Sequence, residues 1–188
     1  MSQFEVIALT LSFVLGLSMS HMLWSAAAAV RARKHLQLHW LPFLWAGCIF
    51  FVHIQYWFAA LAIDRVIIEW TWSWYLHMLF LGILLFASGA LVLPSESQQR
   101  SGKLLDDFKE HGRLGLIPLA AYHLFWIPTA YRMDQALFDA GNYANLVLAV
   151  FVIIGLISKR QIMQWASVFG FALVVIWASV FLWTGGSL

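Results

Sequence analysis

Charge is what this chain has least of. Asp, Glu, Lys and Arg make up 11% of its 188 residues, against about 25% in a typical soluble domain. So few charges cannot wet the surface of a water-soluble globule, which excludes that class. Cysteine is nearly absent as well. The single Cys48 rules out an intrachain disulfide and, inside an apolar run, is expected to pack as a small hydrophobe. Metal-ligand spacing of the HExxH type is missing, and no complete catalytic or nucleotide-binding motif is present.

What the chain has in abundance is apolar length. Hydrophobic residues are 62% of the sequence and its mean hydropathy is +0.80. Six runs can cross a bilayer: 4–30, 41–63, 67–93, 114–131, 143–157 and 162–183. A hydrocarbon core of roughly 30 Å needs about 20 apolar residues in a helix; the fifth run is the shortest. The runs are continuous, whereas barrel strands alternate apolar and polar residues. The expected fold is therefore an all-α polytopic transmembrane helix bundle of six spans, organised as one domain over 1–188, in a lipid bilayer.

Basic residues set the expected orientation. Arg31, Arg33, Lys34, Arg100, Lys103, Lys109, Arg113, Lys159 and Arg160 fall in alternate loops, leaving only Arg65 and Arg132 on the other side, beside Asp64, Glu69, Asp134 and Asp139. The positive-inside rule makes the richer side cytoplasmic and places both termini outside. The rule counts basic residues, so the formal charge of +2 is no argument for a nucleic-acid partner. A cleavable signal is not expected, because no basic residue precedes the first apolar run.

The segment 94–113 is the only sizeable one between spans. Its first part, 94–102, is polar and turn-forming. Its second part sets Leu104, Leu105 and Phe108 on one helical face against charges on the other, the pattern of a short interfacial helix. Trp40, Trp70, Trp72, Trp74, Trp165 and Trp183 lie near span ends, where indoles anchor at headgroup level; Trp45, Trp57 and Trp126 lie deeper. Pro118 is close enough to the start of the fourth span to be harmless, while Pro128 frees a carbonyl at Leu124 and should kink the outer end.

Small residues suggest helix contacts. Ser12, Gly16 and Ser20 recur every four residues in the first span, and Ala166 and Gly170 do so in the sixth. Such spacing lets helices approach closely; the first stripe is expected to pack within the chain. Glu5 shares that stripe near the outer end, either as a snorkelling carboxylate or as a charge that attracts cations to a vestibule.

The ionisable groups inside the spans are the candidate functional residues, because burying them in lipid is costly. His21, His53, His77 and His123 lie one on each of the first four spans. At about 1.5 Å per residue, His21 and His123 lie about 15 Å from the cytoplasmic ends, His53 about 20 Å and His77 about 24 Å. Three readings compete. Each His can be a neutral core residue bonded to a neighbouring helix, part of a hydrated ion or proton pathway, or a ligand of b-type haem or a metal.

Neighbouring residues favour the pathway. Trp70, Ser73, His77, Leu84 and Ser88 share a semi-polar face of the third span, and Ser18, His21 and Ser25 share one on the first. Gln55 points nearly opposite to His53 and should serve a different neighbour. A haem pocket wants large apolar walls, and two-haem electron transfer often spaces two histidines along one helix; neither pattern is present, so no haem or other cofactor is expected. For zinc, the histidines lack acidic or thiol partners at their depth apart from Cys48. An enzymatic site would have to draw on His35, His39, Asp106, Asp107, Glu110 and His111 near the basic side, whose spacing fits no motif.

On the second span, Trp45, Phe50-Phe51 and Gln55-Tyr56-Trp57 resemble a Trp-rich segment of uncharacterised bacterial multi-pass inner-membrane proteins. The resemblance covers that span and the basic stretch before it. It implies a bacterial inner-membrane location and no particular activity. The expected function is ion or proton permeation by a small integral membrane protein, as a homo-oligomer. The alternatives are a haem-binding or redox subunit and a partner-binding subunit with no activity of its own.

Overall fold

The computed structural model describes residues 3–65, 67, 69–94, 102–132 and 140–185. The polar turn expected over 95–101, with Arg100, and the loop carrying Asp134 and Asp139 lie outside the described residues. In chain order come α1 (Gln3–Arg31), β1 (Leu36–Gln37), α2 (Trp40–Asp64), α3 (Trp72–Val92), β2 (Gly102–Lys103), α4 (Leu104–Glu110), α5 (Leu116–Arg132), α6 (Ala140–Ile157) and α7 (Gln161–Gly185). Two 3-10 turns, Ala32–Lys34 and Gly112–Gly115, lead out of α1 and into α5.

Among the described residues, four helical segments are long and apolar enough to cross a membrane: Phe4–Lys34, Trp40–Asp64, Trp72–Val92 and Gln161–Val180. Helices α5 and α6, with 17 and 18 residues, reach only about 26–27 Å at about 1.5 Å per residue. Large side chains such as Leu9, Phe13, Phe80, Val150 and Leu173 are exposed on the outer faces, as lipid-facing residues would be. The molecule is an all-α polytopic bundle.

Its helices close a ring. Helix α1 packs on α2 and α3, α3 on α5, α5 on α6, α6 on α7, and α7 returns to α2, while an α2–α3 contact divides the ring. On α1 the buried face runs through Ile7, Leu11, Leu15, Ser18, Met22, Ser25 and Ala29, the 3–4 spacing of one helical stripe. Ser12, Gly16 and Ser20 lie on the opposite, exposed face, and a Cβ added at Gly16 would meet nothing within 4 Å. This corrects the expectation that the stripe packs within the chain.

The reason is that α3 supplies the small residues at that contact. A Cβ at Gly89 would lie 2.6 Å from Met22 Sδ and 2.7 Å from Ser18 Oγ, and Leu11 rests against Gly82. Large residues on α1 fill hollows on α3. The α7 pair divides: Ala166 is exposed, whereas Gly170 makes room for the Phe151 ring of α6.

Caps and turns fix the helix ends. His39 precedes α2 and its Nδ1 accepts from the Leu41 N–H at 3.2 Å; Thr71 Oγ1 accepts from the Trp74 N–H ahead of α3. Helix α5 runs through Pro128 to Arg132. Where the basic loops gather, β1 and β2 pair in parallel, Leu36 with Gly102 and Gln37 with Lys103. Gly102 has φ of +134°, a conformation that favours glycine. Leu36 and Leu104 bury against Ala29, flanked by Ala32 and Phe43. The amphipathic stretch forms α4, with Leu104 and Phe108 fully buried. The turn after it approaches α3 so closely that a Cβ at Gly115 would lie 2.9 Å from the Ser88 carbonyl oxygen.

Candidate functional site

The histidines on the spans meet different fates. His53 is fully buried, with Nδ1 2.8 Å from the Ile49 carbonyl oxygen and Nε2 2.8 Å from Ser18 Oγ. A carbonyl only accepts, so Nδ1 carries the proton and Nε2 accepts from the Ser18 hydroxyl. Both ring nitrogens are thus engaged, which fits the core-histidine reading and leaves no lone pair for a metal. Gln55 turns the other way, as its position on α2 implies: its amide donates to the Val175 carbonyl at 3.2 Å and to the Ser179 hydroxyl on α7.

His77 lies half-buried on α3, with Nε2 2.7 Å from Thr129 Oγ1 on α5. That hydroxyl in turn donates to the Phe125 carbonyl at 3.3 Å, so the imidazole is the donor in the His77–Thr129 bond. Its stripe changes character along α3. Ser73 is exposed at one end, and Ser88 is fully buried at the other with no hydrogen-bond partner for its Oγ among the described residues. Trp70 donates its indole N–H to Asp64 at 2.9 Å. His21 is half-buried beside the buried Ser18 and Ser25, and its Nδ1 lacks a partner among the described residues. Glu5 lies on the exposed face of α1.

His123 is the exceptional one. It is buried on α5 with Nδ1 2.9 Å from Asn145 Oδ1 of α6, and the Asn145 amide donates to the Gly141 carbonyl at 3.0 Å. That arrangement makes Nδ1 the protonated nitrogen and leaves a bare lone pair on Nε2. Nε2 is buried with no partner among the described residues. An unpaired buried acceptor of this kind costs about 1–3 kcal/mol.

Two further orphan groups lie along the same interior. Trp45 Nε1 on α2 is a buried donor without an acceptor, and Gln164 Oε1 on α7 a buried acceptor without a donor, again among the described residues. Trp45 and His123 flank one ring, Phe171, each with centroids 5.5 Å away. Gln164 donates to the Gly155 carbonyl at 2.9 Å, beside the spot where Trp45 Cζ2 would meet a Gly155 Cβ. Ser167 donates to the Phe151 carbonyl at 2.5 Å, and Asn142 is buried one turn before Asn145. Sequence reading missed Asn142, Asn145, Gln164 and Ser167; each is a polar residue in an apolar run and could have been found by that alone.

Aromatic rings fill the space around this row. Tyr56, Tyr122 and Trp126 form a triangle with centroids 5.9–6.1 Å apart, and His123 joins it through Tyr122 at 5.1 Å. The Tyr56 hydroxyl donates to the Met78 carbonyl at 2.5 Å. The centre is thus a column of rings threaded by polar atoms. A shallow apolar groove between α6 and α7, lined by Tyr143, Ala144, Val147, Val174 and Trp177, lies apart from it.

The groups expected near the basic side do not converge. His35, Asp106, Glu110 and His111 are exposed, His39 serves as a cap, and Asp107 sits 3.6 Å from His111 one turn on. Burial pushes the Asp107 carboxyl above its usual range, against the opposing pull of His111. Among the described residues no three His, Cys, Asp or Glu side chains are grouped to hold a metal ion.

Fold and interior together define a polytopic α-helical membrane protein with a buried polar row. Comparison with protein-family models, with curated proteins and with solved structures finds no match for the chain.

Proposed function

We propose that this protein moves protons across a bilayer by way of the polar groups in its interior: His77 with Thr129, His123 with Asn145 and Asn142, and Ser167 and Gln164. The observation that carries the reading is His123 Nε2: a buried lone pair, held in place from the opposite nitrogen and without a partner among the described residues. Imidazole can take a proton on one nitrogen and release it from the other, and its ordinary charge change falls between about pH 5 and 8. Rings fill the interior, so protons suit the row better than hydrated metal ions. A proton passes along hydrogen-bonded side chains and single waters, whereas a hydrated ion needs a bore.

In this reading all six long helices cross the bilayer of a bacterial inner membrane, with α5 and α6 spanning a locally thinned region and both termini outside. The protein acts as a transporter or channel subunit without chemical turnover and without haem. It works as a homo-oligomer; the exposed Ser12–Gly16–Ser20 stripe offers the face on which a second copy can approach closely.

Proton flux into proteoliposomes, followed with an entrapped pH dye, tests the reading. His123→Gln keeps size and a hydrogen bond to Asn145 but cannot carry a proton, and is expected to cut flux at least tenfold. Asn145→Ala is expected to impair it by freeing the ring. No flux above empty liposomes, or flux unchanged in His123→Gln, would sink the proposal.

A further inference from the structure

We infer that the turn after α1 is a binding site for the phosphate of an anionic phospholipid, built from Arg31, Arg33, Lys34 and Lys103 around the Trp24 ring. Arg31 and Trp24 are two helical turns apart and share a face of α1. The guanidinium folds back over the indole, with Cζ 5.0 Å from the ring centroid. A guanidinium seeking only water would extend away from the apolar surface. This one lies along it, over an exposed Trp, where a cation–π contact holds it while its N–H groups make no hydrogen bond to a described residue. A planar fork fixed at headgroup level is suited to phosphate oxygens.

The other cations are held in register by backbone structure. Arg33 and Lys34 sit on the exposed side of the 3-10 turn, and the β1–β2 pair brings Lys103 alongside Gln37 of the same loop. Leu36 and Leu104, buried beneath, anchor both strands. Trp40, exposed at the start of α2, adds a second indole of the kind that seats at the membrane interface. None of these four cations makes an ion pair with a described carboxylate.

Charge separation gives the site its place. Among the described residues the acidic groups of this side, Asp106, Asp107 and Glu110, all belong to α4, while the α1 turn and β2 carry only cations and His35. An anionic headgroup is therefore drawn to the α1 side and repelled from α4. A diglyceride-linked phosphate fits better than a free phosphate ion, because the exposed apolar flank of α1 below Trp24, with Leu17 and Leu23, gives its acyl chains a surface to lie on.

Native mass spectrometry of the full chain, released from nonionic micelles with phosphatidylglycerol or phosphatidylcholine of identical acyl chains, tests this. The wild type is expected to retain phosphatidylglycerol preferentially. A juxtamembrane cation contributes about fivefold in affinity, so Arg31→Gln should lower that preference by about fivefold and Arg31→Gln with Arg33→Gln by more. Trp24→Leu should lower it with no change of charge. Lys159→Gln with Arg160→Gln removes two cations from the α6–α7 loop and should leave the preference intact. Equal retention of both lipids by the wild type overturns the inference. So does an equal loss in the Lys159/Arg160 variant, which would show diffuse attraction rather than a site. Displacement of the lipid by excess inorganic phosphate overturns the lipid assignment.

Discussion

Ser18 on α1 and His53 on α2 share a 2.8 Å hydrogen bond in the fully buried interior, in which the hydroxyl donates because the Ile49 carbonyl on the other ring nitrogen fixes the tautomer of the histidine. It closes a chain from the Ser18 hydroxyl through the imidazole to the Ile49 carbonyl. A bond of this kind between membrane helices is worth about 0.6 kcal/mol on average and up to about 1.7. A double-mutant cycle of Ser18→Ala and His53→Gln, read by unfolding in mixed micelles, should give a coupling of about 0.5–2 kcal/mol. Additive effects would mean that the pair is not bonded in the folded protein.

Gly115 and Gly16 should respond in opposite ways. At Gly115 a Cβ would lie 2.9 Å from one backbone atom of α3 and 3.1 Å from another, the Val92 nitrogen, and backbone cannot yield as a side-chain tip can. Gly115→Ala should destabilise by about 1–3 kcal/mol. Gly16 faces open space, so Gly16→Ala should be neutral or stabilise by up to about 1 kcal/mol through helix propensity. If the exposed stripe seats a second copy, Gly16→Leu should leave the monomer folded and reduce the oligomer fraction in cross-linking.

Orientation is open to a labelling measurement. In a Cys48→Ala background, Gln37→Cys puts a thiol on the exposed residue that pairs with Lys103. An impermeant maleimide is expected to label it in inverted vesicles and not in intact cells. Labelling from outside intact cells would reverse the arrangement proposed here.

Asp107 gives a pH dependence with a definite sign. Burial, the largest influence, raises its folded-state pKa above the ordinary 3.8. The folded chain therefore holds the proton more tightly than the unfolded chain. The associated stability is fully present below the unfolded value and is lost as pH rises through the folded one. Asp107→Asn should thus raise the melting temperature near neutral pH and lose that advantage below about pH 4, near the ordinary carboxylate value. The His111 contact, which pulls the carboxyl the other way, works against the gain. A melting temperature at neutral pH below that of the wild type would show that this contact outweighs burial.

Helical class and membrane-length runs were legible in the sequence because hydropathy over about 20 residues is a strong signal. Which face of α1 is buried was not. In lipid the outside of a bundle is as apolar as its inside, so the amphipathic contrast that marks a buried face in water is missing. Small-residue spacing therefore pointed to Ser12–Gly16–Ser20, whereas Gly82 and Gly89 of α3 receive the opposite side of α1, with Leu11, Ser18 and Met22. His77 and His123 stood out as ionisable residues in apolar runs, but their partners Thr129 and Asn145 lie on other helices and no spacing rule joins them. The Leu36–Gly102 pairing was hidden for the same reason, since two-residue strands carry no periodicity.

That short parallel pair bears on how the chain is made. Leu36 leaves the ribosome before α2 and α3 exist, and at about 5–20 residues per second its partner strand follows roughly 3–13 s later. Through that interval the edge of β1 is open, and Leu36 has no Leu104 to cover it. The pair acts as a late latch: it shuts only after three long helices have been handed to the membrane, and it fastens the first connection to the third. A nascent chain stalled short of Gly102 would keep this edge bare, presenting to quality-control proteases an unpaired strand that the finished molecule hides.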